Sequence, residues 1–394
     1  MNLILGQGQG HAPGPTTPPP LSAYVHIPWC VRKCPYCDFN SHTSDSPLPE
    51  AEYVEALIAD LEQELPAVQG RPLQSIFFGG GTPSLFSARS IGRILEAITS
   101  RLPMADDLEI TLEANPGTFE QARFAEYRQA GVSRLSIGVQ SFNSAHLQRL
   151  GRIHDGGEAL RAVEMARRAG FDNLNLDLMH GLPGQTVEEA LADLQQALTL
   201  GPEHLSWYQL TLEPNTVFYS RPPQLPEDDI LWDIQEAGQA SLRSGGFVQY
   251  EVSAYASEGR YSRHNLNYWQ YGDFIGLGAG AHGKQSSEGG GIQRYWKTRL
   301  PRDYLTASNG FRAGERRLSA GEIAFDFMMN ALRLTGGVPS EVYALRTGQP
   351  LQLIEPVLEQ ARSRGLLEDW GQRLQATERG QLFLNDLLEL FLED

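Results

Sequence analysis

The chain has 394 residues, 41% of them hydrophobic, with a formal net charge of −16 and three cysteines. That length predicts one large domain with a small companion, or two to three domains, and the charge excludes non-specific nucleic-acid binding, which needs a local lysine and arginine excess. No stretch holds enough consecutive apolar residues to span a bilayer, so a chain that works in a reducing cytoplasm on a small or neutral ligand is expected.

Residues 1–22 begin MNLILGQGQG and run on into proline, glycine and threonine. Lacking a basic start and a long apolar run, they read as a disordered tail and not as a secretory signal. From residue 23 onward, short apolar runs alternate with amphipathic stretches. Strands are expected at Ala23–Ile27, Ser75–Phe78, Leu108–Ala114, Arg134–Val139, Leu174–Leu178 and His204–Thr211. Between the first two, Tyr53, Val54, Leu57, Ile58, Leu61 and Leu65 recur at helical spacing. Capping boxes at Thr118 with Gln121 and at Thr186 with Glu189 open two later helices. Strands linked by helices of this length pair in parallel, so the expectation is a (β/α) sheet, curled or closed.

Just past the first strand lie all three cysteines, Cys30, Cys34 and Cys37. Thiolates at this spacing can each hold one iron of a cubane, which leaves the fourth iron open for chemistry. A zinc site is the alternative, with His26 or His42 completing the ligands. A disulfide would leave one cysteine over.

Catalytic groups of an α/β barrel gather past the C-terminal ends of its strands. Here the second strand runs into Gly79-Gly80-Gly81-Thr82-Pro83, the third ends with Glu113, the fourth with Gln140 and the fifth with Asp177. Singly, each is a turn or a helix cap. As a set on one rim beside the cysteines they make a site, because an open iron with a bound cofactor needs polar partners.

Further on comes His264-Asn265-Leu266-Asn267-Tyr268-Trp269. Beyond about residue 305 the expected order is helix Ala320–Leu332, helix Ser340–Leu345, helix Leu351–Arg364, two short strands around a Trp-Gly turn in LLEDWGQRLQA, and a closing helix Gly380–Leu392. This suggests a winged-helix-like module. Its residues 312–394 carry 9 Arg and no Lys against 13 acidic residues, which favours packing over DNA binding.

The run YVHIPWC from Tyr24, the CxxxCxxC spacing, GGGTP, LEANPG, IGVQSF and LDLMHGLPGQT resemble the radical S-adenosylmethionine family of oxygen-independent coproporphyrinogen III oxidases. The resemblance implies a partial (β/α)6 barrel over 23–260, a connecting segment with the HNxxYW run over 261–305, and a winged-helix-like α+β module over 306–394. It further implies a [4Fe–4S] cluster on Cys30, Cys34 and Cys37, with the amine and carboxylate of S-adenosylmethionine chelating the open iron. A reduced cluster, fed by an electron donor, would then cleave the sulfonium to a 5′-deoxyadenosyl radical. By matching motif, Tyr24 and Tyr36 would line the cluster edge and Gly80, Gly81 and Thr82 would meet the methionyl end. Glu113, Gln140, Arg152 and Asp177 would hold the other polar groups, as carboxylates accept from ammonium or hydroxyls and arginine forks onto a carboxylate.

Two features depart from the oxidases. They place a further cysteine where this chain has Phe39, and a longer extension before the first strand. HNxxYW instead resembles the heme-chaperone branch of the family, implying heme as cargo and an acceptor protein to receive it. Imidazole is a good axial ligand, and Tyr268 and Trp269 could pack on the macrocycle, so His264, Asn265, Tyr268 and Trp269 are the heme candidates and His282 the first substitute ligand. On its residues alone, the run reads as a histidine bonded within its own loop beside core aromatics. Radical decarboxylation of propionate side chains, and methyl or radical transfer to another substrate, are the alternative activities. An acidic surface leaves membrane contact to a protein partner.

Overall fold

The computed structural model describes residues 14–43, 47–68, 70–117, 121–289 and 291–392. Most of the expected tail, and Thr118 of the first expected capping box, lie outside these residues. The second box is present: the Thr186 hydroxyl accepts from Glu189 N and the Glu189 carboxylate accepts from Thr186 N.

Twelve strands form one sheet among the described residues. In chain order they are β1 Leu21–Ile27, β2 Leu73–Gly80, β3 Met104–Ala114, β4 Arg134–Gln140, β5 Leu174–His180, β6 His204–Gln209, β7 Val248–Glu251, β8 Ala254–Ala256, β9 Asp273–Leu277, β10 His282–Ser287, β11 Gly291–Lys297 and β12 Arg312–Arg317. Strands β1 to β6 pair in parallel in sequence order, the predicted half-barrel. Helices such as Glu50–Val68, Ala88–Thr99, Gly156–Arg168 and Val187–Leu200 make the crossovers, because a parallel pair cannot be closed by a tight turn.

Side chains alternate along each strand. On β1, Leu21, Ala23, Val25 and Ile27 are buried in the large core with Tyr53, Leu57 and Leu61 of the first helix. Ser22, Tyr24 and His26 face the barrel interior, where Ser75 donates to the Ser22 hydroxyl at 2.8 Å. That interior is polar: Glu109, Thr111, Arg134, Ser136, Asn175 and His204 are all buried. Parallel strands covered on both faces ordinarily read as continuous apolar runs; here polar side chains fill part of the interior by bonding one another, as where His204 Nδ1 meets Asn175 Oδ1 at 2.6 Å.

The sheet extends beyond six strands at both edges. Strand β9 adds in parallel beside β1, and β10 to β12 continue antiparallel from it. At the other edge β8 and β7 add antiparallel to β6. The stretch 261–305 thus supplies helix Arg263–Trp269 and strands β9 to β11. Outermost β12, RAGERR, is almost wholly exposed, and charge on such an edge discourages pairing with another chain.

The C-terminal module has its own core, with Leu318, Ile323, Phe327, Met328, Tyr343, Leu358, Leu374 and Leu387 buried together. Its elements differ locally from expectation. The third helix begins as a 3₁₀ turn at Leu351–Leu353 and turns α only over Glu355–Ser363, with Pro356 in its first turn, where a missing N–H costs least. The closing helix is split at Phe383 into Glu378–Leu382 and Leu384–Glu389. Arg373–Leu374 pairs with Val338–Pro339 instead of folding back as a full hairpin, and only an isolated bridge joins Leu367 to Ala376. No helix of the described residues is long and apolar enough to cross a membrane.

Candidate functional site

At the C-terminal ends of β1 to β6 opens a cavity of about 480 Å³. The cysteine loop forms its lip. Trp29–Cys30 pairs with His42–Thr43, which closes the base of the loop, and Cys37 N donates to Cys34 O at 3.2 Å inside it. All three thiols are free and half-exposed, and all three line the cavity. Burial pushes the Cys30 and Cys37 thiols up.

The donor set fits a cluster. Among the described residues no three histidine, cysteine or acidic side chains converge as one metal ion requires, whereas a cubane takes each thiolate on a separate iron. The histidines weighed for zinc are engaged elsewhere. His26 bonds Tyr24 Oη through Nδ1 and Asn40 O through Nε2, both at 2.9 Å, and His42 Nε2 meets Asn40 Oδ1 at 3.1 Å.

The glycines after β2 are needed for contact. Gly80 has φ +112°, and a Cβ there would lie 2.4 Å from the His26 ring; one on Gly81 would lie 2.5 Å from Trp29 O. Beside them Thr82 Oγ1 donates to Cys30 Sγ at 3.5 Å. Glu113 Oε2 accepts from Gly80 N at 3.2 Å. Burial, and then Asp177, push the Glu113 carboxyl up to about 8.

Asp177 is likewise raised by burial while accepting from Ser136 at 3.0 Å and Asn175 at 2.8 Å. Gln140 adopts φ +68° and accepts from Tyr208 Oη at 2.9 Å. Arg152 donates to Cys34 Sγ at 3.6 Å, Asn115 Oδ1 at 2.7 Å and Gly138 O at 2.9 Å. Its Nε is buried with no partner among the described residues. Two carboxyls raised by burial beside one cavity make it a candidate functional site.

The structure therefore gathers Cys30, Cys34, Cys37, Tyr36, Gly80, Gly81, Thr82, Glu113, Gln140, Arg152 and Asp177 around one cavity. Tyr24 is elsewhere. It points into the barrel one layer deeper, with its ring stacked on Phe77 at 6.3 Å. Asn115, Ser136, Ser206 and Tyr208 also line the cavity and were missed by the sequence reading. Their signal was available: Asn115 lies two residues past Glu113, and Ser206 and Tyr208 share one face of β6.

The HNxxYW run forms helix Arg263–Trp269, capped by the Ser262 hydroxyl. His264 turns into the barrel and stacks on Phe77 at 4.2 Å with the Tyr268 ring 4.4 Å away. Burial, then Arg134, push its imidazole down to about 3. Asn265 donates to Tyr250 Oη at 3.5 Å. Tyr268 and Trp269 instead line a second cavity of about 580 Å³, shared with His282.

Comparison with known proteins agrees with this architecture. Residues 24–197 match the Radical SAM superfamily and residues 318–383 the HemN C-terminal domain. The heme chaperone HemW of Escherichia coli (strain K12) is 52% identical, over 95% of this chain and 99% of that one. The chain belongs to the heme chaperone HemW family. The HemW of Bacillus subtilis is 35% identical, over 94% of this chain and 99% of its own. A mouse relative, "Radical S-adenosyl methionine domain-containing protein 1, mitochondrial", is 38% identical over 89% of this chain and 79% of its own. The solved structure of the E. coli coproporphyrinogen III oxidase HemN shares the fold, with a TM-score of 0.79 at 22% identity over 95% of this chain and 90% of that chain. Radical S-adenosylmethionine proteins use a [4Fe–4S] cluster and S-adenosylmethionine, and the cavity offers thiols and polar groups for both.

Proposed function

We propose that this chain binds heme and passes it to an acceptor protein, while holding a [4Fe–4S] cluster and exchangeable S-adenosylmethionine at the cysteine cavity. The observation that carries the cofactor reading is the convergence of three free thiols with half-buried Glu113, Asp177 and Arg152 on one space. Cys30, Cys34 and Cys37 bind the cluster. Tyr36 covers its edge, Gly80, Gly81 and Thr82 meet the methionyl end, and Glu113, Gln140, Arg152 and Asp177 take the remaining polar groups. Tyr24 acts one step back, bonding His26 behind Gly80. When bound, the cluster and cofactor supply one-electron chemistry at the sulfonium, for which a reducing donor protein is needed.

The heme reading is supported by family membership and by the aromatic second cavity. We place the chain in the cytoplasm, with membrane contact through a protein partner. The test is a heme titration of the anaerobically reconstituted protein with a porphyrinogen decarboxylation assay on the same preparation. Saturable uptake near one heme per chain, handover to an apo-acceptor and no turnover are expected. Turnover without heme uptake would make the chain an oxidase and overturn the proposal.

A further inference from the structure

Asn115 ties the two donors that reach the cysteines into one chain of hydrogen bonds. It follows β3 directly and precedes Pro116, which keeps its backbone out of the helical region and in line with the strand. Its side chain therefore emerges on the same side as that of Glu113 two residues earlier, and both line the cysteine cavity. Its Oδ1 accepts from Arg152 at 2.7 Å and its Nδ2 donates to Thr82 Oγ1 at 3.2 Å. Both partners reach on to sulfur: Thr82 Oγ1 donates to Cys30 Sγ at 3.5 Å, and Arg152 to Cys34 Sγ at 3.6 Å.

The direction of each bond is fixed by chemistry. A guanidinium has donors only, so the Asn115 oxygen must face Arg152 and its NH2 group must face Thr82. A hydroxyl that accepts from that NH2 keeps its single proton free, and here it is given to Cys30. Thr82 is buried, and Asn115 and Arg152 are half-buried, so the chain is partly shielded from competing water. Aspartate in place of Asn115 would accept from Arg152 and leave Thr82 without its donor; leucine, of nearly the same shape, would do neither.

Hydrogen bonds to its sulfurs and nearby charge set the potential of an iron–sulfur centre. A donor stabilises the reduced form more than the oxidised one, because the reduced form carries one more negative charge. We propose that Asn115 is a positioning residue that raises the reduction potential of the cluster by holding Thr82 and Arg152 against the Cys30 and Cys34 thiolates. This rests on the cofactor reading of the cysteine cavity and goes beyond it, since Asn115 acts through two neighbours and itself exchanges no proton or electron.

A titration of the reconstituted full chain, followed by electron paramagnetic resonance, reads the midpoint potential, with dithionite as reductant and no S-adenosylmethionine added. Asn115→Leu is expected to cut the ratio of reduced to oxidised cluster about tenfold at a fixed ambient potential, which is about 59 mV for one electron. Thr82→Val is expected to lower the ratio by a smaller factor. The double variant is expected to match Asn115→Leu alone, because loss of Asn115 has already released the Thr82 hydroxyl. A purely structural role would change the melting temperature and leave the potential in place. The parent's potential in Asn115→Leu, or shifts of the two substitutions that add in full, overturns the proposal. Asn115→Ala replaces Asn115→Leu if that variant loads no cluster, and failure of both to load makes Asn115 a residue of assembly, which also overturns it. A parent chain that takes up no cluster overturns the cofactor reading itself.

Discussion

The Arg152 guanidinium lies 3.6 Å from Cys34 Sγ, so a half-buried cation touches one of the three thiols. Its other bonds, to Asn115 and Gly138, hold it there. A cation in low dielectric favours the negative charge that thiolates bring to a cluster. Arg152→Ala is expected to lower retained iron and sulfide after reconstitution, measured per chain, with Arg152→Lys intermediate because it keeps charge and loses the fork. Full cluster retention in Arg152→Ala would refute this role.

Each single substitution of Cys30, Cys34 or Cys37 by alanine should abolish cluster absorbance. These side chains are half-exposed on a lip outside the core, so the metal-free variants should unfold within about 0.5 kcal/mol of the metal-free parent in denaturant. A large destabilisation would mean that the cysteines serve packing.

Glu113 gives a pH signature. Its carboxyl is raised to about 8 from an ordinary carboxylate value, so the folded chain keeps a proton that the unfolded chain has lost. Stability therefore falls as pH rises between about 4.5 and 8. Glu113→Gln should be the more stable protein at pH 8.5 and should flatten that slope, by about 2 kcal/mol after discounting for contact with the open cavity. To accept from a cofactor donor in the proposed complex Glu113 must release its proton, so calorimetric binding enthalpy should depend on the buffer's ionisation heat and cease to do so in Glu113→Gln.

Lys297 is wholly buried between Asp60 and Glu64, its ammonium 2.6 Å from Glu64. Arg312 reaches Glu64 at 2.6 Å, and Tyr304 donates to Asp60 at 2.7 Å. This network fastens helix Glu50–Val68 to β11. Lys297→Ala leaves the buried Asp60 carboxylate without its cation while Glu64 keeps Arg312, and should cost about 3–5 kcal/mol, read from urea unfolding of the metal-free chain.

Much of this was legible in the sequence. The six barrel strands were visible because period-2 burial and helical crossovers alternate with glycine-rich breaks, and the strand-end rule led from those runs to Glu113, Gln140 and Asp177. Strands β7 to β12 were not: Val248–Glu251 and Ala254–Ala256 are very short, Asp273–Leu277 runs into a glycine-rich stretch, and RAGERR reads as a solvated surface. The pairing of Leu21 with Asp273 joins segments too distant for any local pattern. The motif of Tyr24 stands beside the cysteines, which points to the cofactor, whereas side-chain alternation along β1 turns its ring onto Phe77 inside the barrel. For the same reason HNxxYW could not say which of its side chains face inward, because a seven-residue helix divides them only once it is docked on Glu109, whose carboxylate accepts from Arg263 N at 3.0 Å.

The rings inside the barrel form an unbroken column. Tyr24 lies at its upper end, 3.1 Å from where a Cβ on Gly79 would be, a position also 3.2 Å from Glu113 on the cavity wall. Below it follow Phe77, then His264 at 4.2 Å, Tyr268 at 4.4 Å and Phe274 at 4.5 Å, the last beneath Arg294 in the outer groove. The two cavities thus stand at the two ends of one column of aromatic rings. Tyr268 is the ring that faces both ways, against His264 on the inner side and lining the outer groove on the other, so a substitution there disturbs the packing of the barrel interior and of the groove at once.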